Sequence, residues 1–208
     1  GLKSMNVKDM LRQASDAAKQ LITLSDQTII GILKETAQVL RTHTEEVLAA
    51  NRQDLERMDP ANPKYDRLKL TEERLQGIAA DMENVSTLPS PLNKVLSETT
   101  RPNGMVIRKV TVPFGVIGVI YEARTNVTFD VFSLCFRSGN VCVLKGGSDA
   151  DFSNRALVRI IHSVLERQGI NPAVCTLLPP DREATAELLG AVGLVDLIIP
   201  RGSSSLIH

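Results

Sequence analysis

Val116-Ile-Gly-Val-Ile-Tyr121 runs directly into Glu122-Ala-Arg-Thr-Asn-Val-Thr128, and Val141-Cys-Val-Leu-Lys145 runs into Gly146-Gly-Ser-Asp149. Each is a short apolar run that ends in a polar loop. Unbroken apolar runs of this length read as strands covered on both faces, the hallmark of parallel sheets. Two more follow, at 174–178 and at 194–199, the last ending at Pro200. Helical patterns separate them, around 128–137, from Asp149 to about Gln168, and from near Asp181. Gly139, Gly169 and Gly193 stand where those helices should stop. In the last helix Leu188, Leu189 and Val192 are expected to face inward. The alternation predicts an α/β fold, a Rossmann-like parallel sheet with helices on both faces and right-handed crossovers. Such sheets bind ligands at the carboxyl ends of their strands. The loops after Tyr121 and Lys145 are therefore where chemistry is expected.

Upstream of the sheet the chain reads as helical. Met10, Leu11, Ala14, Ala17, Ala18, Leu21 and Ile22 recur at helical spacing. Ser25 suits the cap of a second helix that carries Ile29, Ile30, Leu33, Ala37, Leu40, Val47 and Leu48 and ends before Pro60. A third follows Thr71, with Leu75, Ile78, Ala79 and Met82 on one face, and stops at Pro89 and Pro91. Residues 105–112 then alternate apolar with polar after the turn signal Arg101-Pro-Asn-Gly104. A surface hairpin and an oligomerisation arm both fit that pattern.

The bulk numbers narrow the function. The 208 residues are 43% hydrophobic and 23% charged, enough to build a core. Lys plus Arg number 24, as do Asp plus Glu, so the formal net charge is zero. That argues against nucleic-acid or membrane-surface partners, which select for excess positive charge. No apolar run reaches the roughly 18 residues that span a bilayer. The cysteines, Cys135, Cys142 and Cys175, lack CxxC spacing and lie in apolar runs. They read as buried hydrophobes in a reducing, cytoplasmic setting. The three histidines form no metal-ligand spacing.

The motifs are individually open. Gly115 and Gly118 do not make a GxGxxG fingerprint, and Lys145 precedes its glycines, unlike a Walker A lysine. Gly146 and Gly147 allow positive φ and close approach to a ligand. Ser148 opens a helix and, with Asp151, resembles a capping box. An anion site with a lysine beside it, or a plain turn with a solvated lysine, would each look like this. Arg201-Gly-Ser-Ser-Ser205 repeats the arrangement at the next strand end. Asn126 suits either an oxyanion donor or a helix cap. Glu122 and Arg124 suit either a substrate clamp or an ion pair.

Taken together the blocks are specific. The stretch from Val112 through Thr128, then Ser138-Gly-Asn, Leu144-Lys-Gly-Gly-Ser, Ser153-Asn154 and Asp196-Leu-Ile-Ile-Pro-Arg-Gly closely resemble γ-glutamyl phosphate reductase. This is the proline-biosynthesis branch of the aldehyde dehydrogenase superfamily. The likeness starts near residue 6 and is dense from Val110 to Ile207. It implies reduction of L-glutamyl 5-phosphate to L-glutamate 5-semialdehyde with NADPH and release of phosphate, through attack by a cysteine thiolate. It aligns Asn126 with the oxyanion-stabilising asparagine and Lys145 with the lysine at the adenosine ribose. Gly202 and Ser203 align with the pair that receives the pyrophosphate. NAD-using relatives often carry glutamate three residues after the lysine. Ser148 stands there in this chain, which favours NADPH because no carboxylate repels a 2′-phosphate.

The resemblance also sets expectations for organisation. Residues 1–98 should pack as helices on the cofactor domain, 99–112 should form an oligomerisation arm of a homo-oligomer, and 113–208 should form the NADP-binding domain. Thr125 stands where the family usually has proline, and loss of that fixed φ should loosen the loop that aims Asn126. The family's nucleophilic cysteine lies in a second domain, and none of the three cysteines sits in its motif. The 208 residues alone are expected to be inactive. The reductase part of a bifunctional pyrroline-5-carboxylate synthase and a non-catalytic nucleotide-binding or assembly module are the alternatives.

Overall fold

The computed structural model describes residues 6–89, 99–100, 106–107, 115–122 and 124–201. Helix α1, Val7–Ile22, starts at Asn6, whose side chain accepts from Asp9 N at 2.8 Å. It buries Leu11, Ala14, Ala17 and Leu21, while Ile22 is 73% exposed and so leaves the expected stripe. Ser25 caps α2, Asp26–Thr42, through Thr28 N.

The single long helix expected up to Pro60 is two. It breaks at His43, whose φ and ψ are −122° and 28°. Thr42 Oγ1 and His43 Nδ1 both hydrogen-bond the Val39 carbonyl, at 3.0 and 2.9 Å. Side chains that compete for a helix carbonyl in this way favour termination. Helix α3, Thr44–Glu56, then restarts, followed by the single turn α4, Tyr65–Leu68, and by α5, Glu72–Ser86, capped by Thr71.

Two short strands, β1 at Thr99–Thr100 and β2 at Val106–Ile107, pair antiparallel. The rest of the expected arm, 99–112, lies outside the described residues. The main sheet holds β3, Val116–Tyr121; β4, Val141–Lys145; β5, Cys175–Leu177; and β6, Leu197–Arg201. All neighbours are parallel and the order is β5-β4-β3-β6. Helices α6, Asn126–Arg137, and α7, Asp151–Arg167, connect β3 to β4 to β5, moving one way. Helix α8, Arg182–Leu189, carries the chain back past β4 and β3 to β6. With right-handed crossovers, α8 must lie on the opposite face from α6 and α7. Its neighbours agree: α8 packs with α1, while α6 and α7 meet α2, α3 and α5.

The change of direction falls between β3 and β6. The crevice at their carboxyl ends is thus the switch point of the sheet. The close fit of α8 on β3 explains Gly118, where a Cβ would come 3.0 Å from Leu188 Cδ1. Gly118 is therefore a packing glycine.

Three details near the end differ from expectation. Leu188 is buried, but Leu189 is 60% and Val192 94% exposed, because α8 ends at Leu189 and Gly190 caps it. Gly193 does take the left-handed conformation, with φ 85°, but in the following turn. Strand β6 starts at Leu197 and continues through Pro200. Proline is tolerated there because β6 is the edge among the described strands.

Candidate functional site

Tyr121 closes β3, and its buried hydroxyl lies 2.8 Å from Thr128 Oγ1, which donates to Asn154 Oδ1 at 3.0 Å. This chain joins the end of β3 to α6 and α7. In the turn between, Arg124 N donates to the Glu122 carbonyl at 2.6 Å. Thr125 is buried, with φ −69° and ψ −28°. That φ is the value a proline ring would impose. Asn126 is the first residue of α6 rather than its cap. It is exposed and opens on a cavity of about 320 Å³, lined also by Thr125 and by α4–α5 residues Arg67, Leu70, Arg74, Gly77, Ile78 and Asp81.

The loop after β4 meets the first loop. A Cβ on Gly147 would lie 3.8 Å from Glu122 Cα. Neither Gly146 nor Gly147 has the expected positive φ. Gly146 is needed for room instead, since a Cβ there would fall on the Asn154 amide nitrogen, with the Tyr121 ring 3.5 Å away. Lys145 is not solvated but 7% exposed. Its Nζ donates to the Gly146 carbonyl at 2.8 Å, its one hydrogen bond among the described residues. Burial pushes the Lys145 amine below its ordinary range, against the opposing charges of Asp181 and Glu122. Among the described residues nothing takes the other two N–H donors of this nearly buried cation.

Helix α7 does not begin with the expected capping box. Ser148–Ala150 form a 3-10 turn, and the cap comes from α3. Asp54 accepts from Phe152 N at 3.2 Å, from Ser153 N at 2.8 Å and from Ser153 Oγ at 2.6 Å. Asn51, also buried, donates to Ser153 Oγ at 3.0 Å and bridges to the backbone of Leu68 and Leu70. The carboxylate of Asp54 already satisfies that helix N-terminus, so an anionic ligand has no place on it.

Cations surround Ser148 instead. Arg57 Nη2 donates to the Ser148 carbonyl at 3.4 Å and to Asp54 at 2.9 Å, and its guanidinium stacks 4.7 Å from the Phe152 ring centroid. Lys64 Nζ stands 3.9 Å from Glu122 and 4.0 Å from Asp149. Lys64 is thus a partner of the Glu122 carboxylate. The structure brings Glu122, Lys145, Gly147 and Ser148 together and sets Asn126 on the α5 side of the same loop. Gly202 and Ser203 lie outside the described residues.

All three cysteines are buried. Burial raises the Cys135 thiol well above its ordinary range, and a hydrogen bond to Cys175 together with burial does the same for Cys142. Such thiols are inert.

The model of the aldehyde dehydrogenase family matches residues 2–207. This chain belongs to the aldehyde dehydrogenase family. It is 98% identical over 204 residues to γ-glutamyl phosphate reductase of Parabacteroides distasonis, covering 98% of this chain and 49% of that protein. The crystal structure of γ-glutamyl phosphate reductase from Thermotoga maritima superimposes with a TM-score of 0.83 at 30% identity, over 97% of this chain and 50% of that one. The Saccharomyces cerevisiae γ-glutamyl phosphate reductase gives 0.80 at 25% identity, over 99% and 53%. The chain spans about half the length of the curated relatives it matches.

The aldehyde dehydrogenase family uses nicotinamide cofactors, and the donors around Lys145 and Ser148 fit the ribose end of one. Arg57, Lys64 and Asp54 stand beside these loops, and Arg57 and Lys64 carried no signal in the sequence. They stand on α3 and in the loop before α4, far along the chain from the strands. A polar residue on the apolar side of α3 was the available clue to Asp54.

Proposed function

We propose that this chain is the cofactor-binding part of a γ-glutamyl phosphate reductase, which reduces L-glutamyl 5-phosphate to L-glutamate 5-semialdehyde with NADPH and releases phosphate. The observation that carries this is the 98% identity to the P. distasonis reductase across 204 residues. In this reading, residues 113–208 bind the cofactor, 1–98 pack on them, and 99–112 join copies into a homo-oligomer in the cytoplasm.

The roles follow the family's pattern, and for the described residues the surroundings are consistent with them. Lys145 uses its two remaining N–H donors on the adenosine ribose hydroxyls. Ser148 offers a hydroxyl to the 2′-phosphate, and Arg57 and Lys64 supply positive charge beside it. Gly202 and Ser203, by the family's pattern, receive the pyrophosphate. Asn126 donates its amide N–H to the carbonyl oxygen as negative charge develops there. Glu122 and Arg124 form the loop that holds Asn126 next to the cofactor loop. NADPH, when bound, supplies the hydride. The thiolate that attacks the acyl phosphate and expels phosphate is none of Cys135, Cys142 or Cys175, so the 208 residues alone turn nothing over.

The test is steady-state kinetics on the full-length protein that carries this sequence. Phosphate-dependent oxidation of L-glutamate 5-semialdehyde is expected, with kcat/KM for NADP at least about tenfold above that for NAD. Absence of this turnover would refute the reading, and a preference for NAD would refute the role given to Ser148, Arg57 and Lys64.

A further inference from the structure

Helix α5 turns a glycine, Gly77, toward the cavity in front of Asn126. Nothing in the packing of the described residues asks for it. It lies inside a 15-residue helix, where glycine is the least favourable residue after proline. Its φ is not positive, and a Cβ there would meet nothing within 4 Å. The room that Gly77 leaves is part of a cavity whose polar lining is Arg67, Arg74, Asp81, Thr125 and Asn126, with Arg67, Arg74 and Asp81 its charged groups. Arg74, Gly77 and Asp81 follow at helical spacing, so α5 presents them on one face. Arg74 is already held, since its Nη1 donates to the Asp66 and Lys69 carbonyls at the end of α4. Among the described residues nothing takes Nε and Nη2.

Two guanidinium groups, one carboxylate and open space are the complement of a small amino-acid zwitterion. We propose that this cavity receives the α-amino-acid end of the substrate. Arg67 and Arg74 face its carboxylate, Asp81 faces its ammonium, and Gly77 leaves room for the carbon chain that leads to Asn126. The assignment rests on the proposed reductase reaction, in which Asn126 marks the reacting carbonyl.

The other candidate for the guanidinium groups is the departing phosphate, and the oxidative direction separates the two. There L-glutamate 5-semialdehyde and inorganic phosphate are independent substrates, each with its own KM. In the full-length protein, Gly77→Leu, Arg67→Ala and Asp81→Asn should each raise KM for the semialdehyde by roughly tenfold or more, the size of a lost charged contact or blocked site. KM for phosphate and for NADP should stay unchanged.

Gly31 supplies the control. It also lies inside a helix with nothing within 4 Å of its Cβ position, but away from this cavity. Gly77→Ala and Gly31→Ala should both raise the melting midpoint, because each gains helix propensity. Gly31→Leu should leave every KM unchanged. An unchanged semialdehyde KM in the Gly77 and Asp81 variants, or a rise confined to phosphate, would overturn the proposal. Failure of the unmutated protein to oxidise the semialdehyde would instead count against the reductase reading itself.

Discussion

Lys145 is a residue whose burial works against the fold and whose proposed role would offset that when the cofactor binds. Its amine is nearly buried and makes one hydrogen bond, to Gly146 O. Burial lowers its pKa from the ordinary 10.5. Between the folded and unfolded values the folded chain holds fewer protons than the unfolded one. Stability therefore rises as pH climbs through that window toward 10.5, and the penalty of the buried charge is fully present below it. Lys145→Met should remove both the penalty and the pH slope, so the cofactor-free protein becomes more resistant to denaturant near neutral pH. The same change should weaken NADPH binding by roughly 10- to 100-fold, the cost of a charged hydrogen bond. Denaturant melts and a fluorescence titration with NADPH check the two halves, and a variant less stable than its parent would refute the first. Thr125 is the opposite case. The sequence made it a departure to worry about, yet its φ of −69° already matches proline.

At the scale of elements, the two loops are held from below by buried polar groups on different helices. Asp54 is the clearest, with three hydrogen bonds into the start of α7. Asp54→Ala leaves a buried backbone N–H at Ser153, a part-buried one at Phe152 and the Ser153 hydroxyl without that acceptor. It should cost about 3 kcal/mol or more, read as a lower denaturation midpoint with an unchanged slope. NADPH affinity should fall as well, because the turn at Ser148–Ala150 loses its anchor. A loss below about 0.5 kcal/mol, the range of an ordinary surface change, would show that water replaces the carboxylate. This element also shows what the sequence could and could not reveal. The strands were legible because burial on both faces leaves an unbroken apolar run. Most helices were legible from period and caps, as at Ser25, Thr71 and Asp181. The cap of α7 was not, because it arrives from 98 residues upstream. The break at His43 was hidden because the apolar period continues across it, and only side-chain competition for the Val39 carbonyl ends α2 there. Ser153-Asn154 could be read as a motif but not as a function. The structure shows these residues to be the floor under both loops.

For the whole molecule, the parallel sheet was predictable from strand–helix alternation, while its strand order, with the switch point, and the α4–α5 wall before Asn126 were not. A helix and a loop that face one cavity from distant segments share no local pattern. The short antiparallel pair of β1 and β2 is the described part of the segment proposed to join copies. Removing residues 99–109 from the full-length protein should reduce its mass by light scattering to a smaller assembly. An unchanged mass would rule that segment out as the arm.

The strand order has a consequence for how the chain is made. Strand β3 is central, yet its partner on one side is β6; Val116 N is held by Asp196, 80 residues later. At ribosomal rates of about 5–20 residues per second, that edge of β3 stays open for roughly 4–16 s during synthesis. The exposed ribbon is Val-Ile-Gly-Val-Ile-Tyr, uncharged and free of proline, the kind of segment that pairs with copies of itself. Growth conditions that slow translation between residues 121 and 197 should therefore favour inclusion bodies over soluble enzyme.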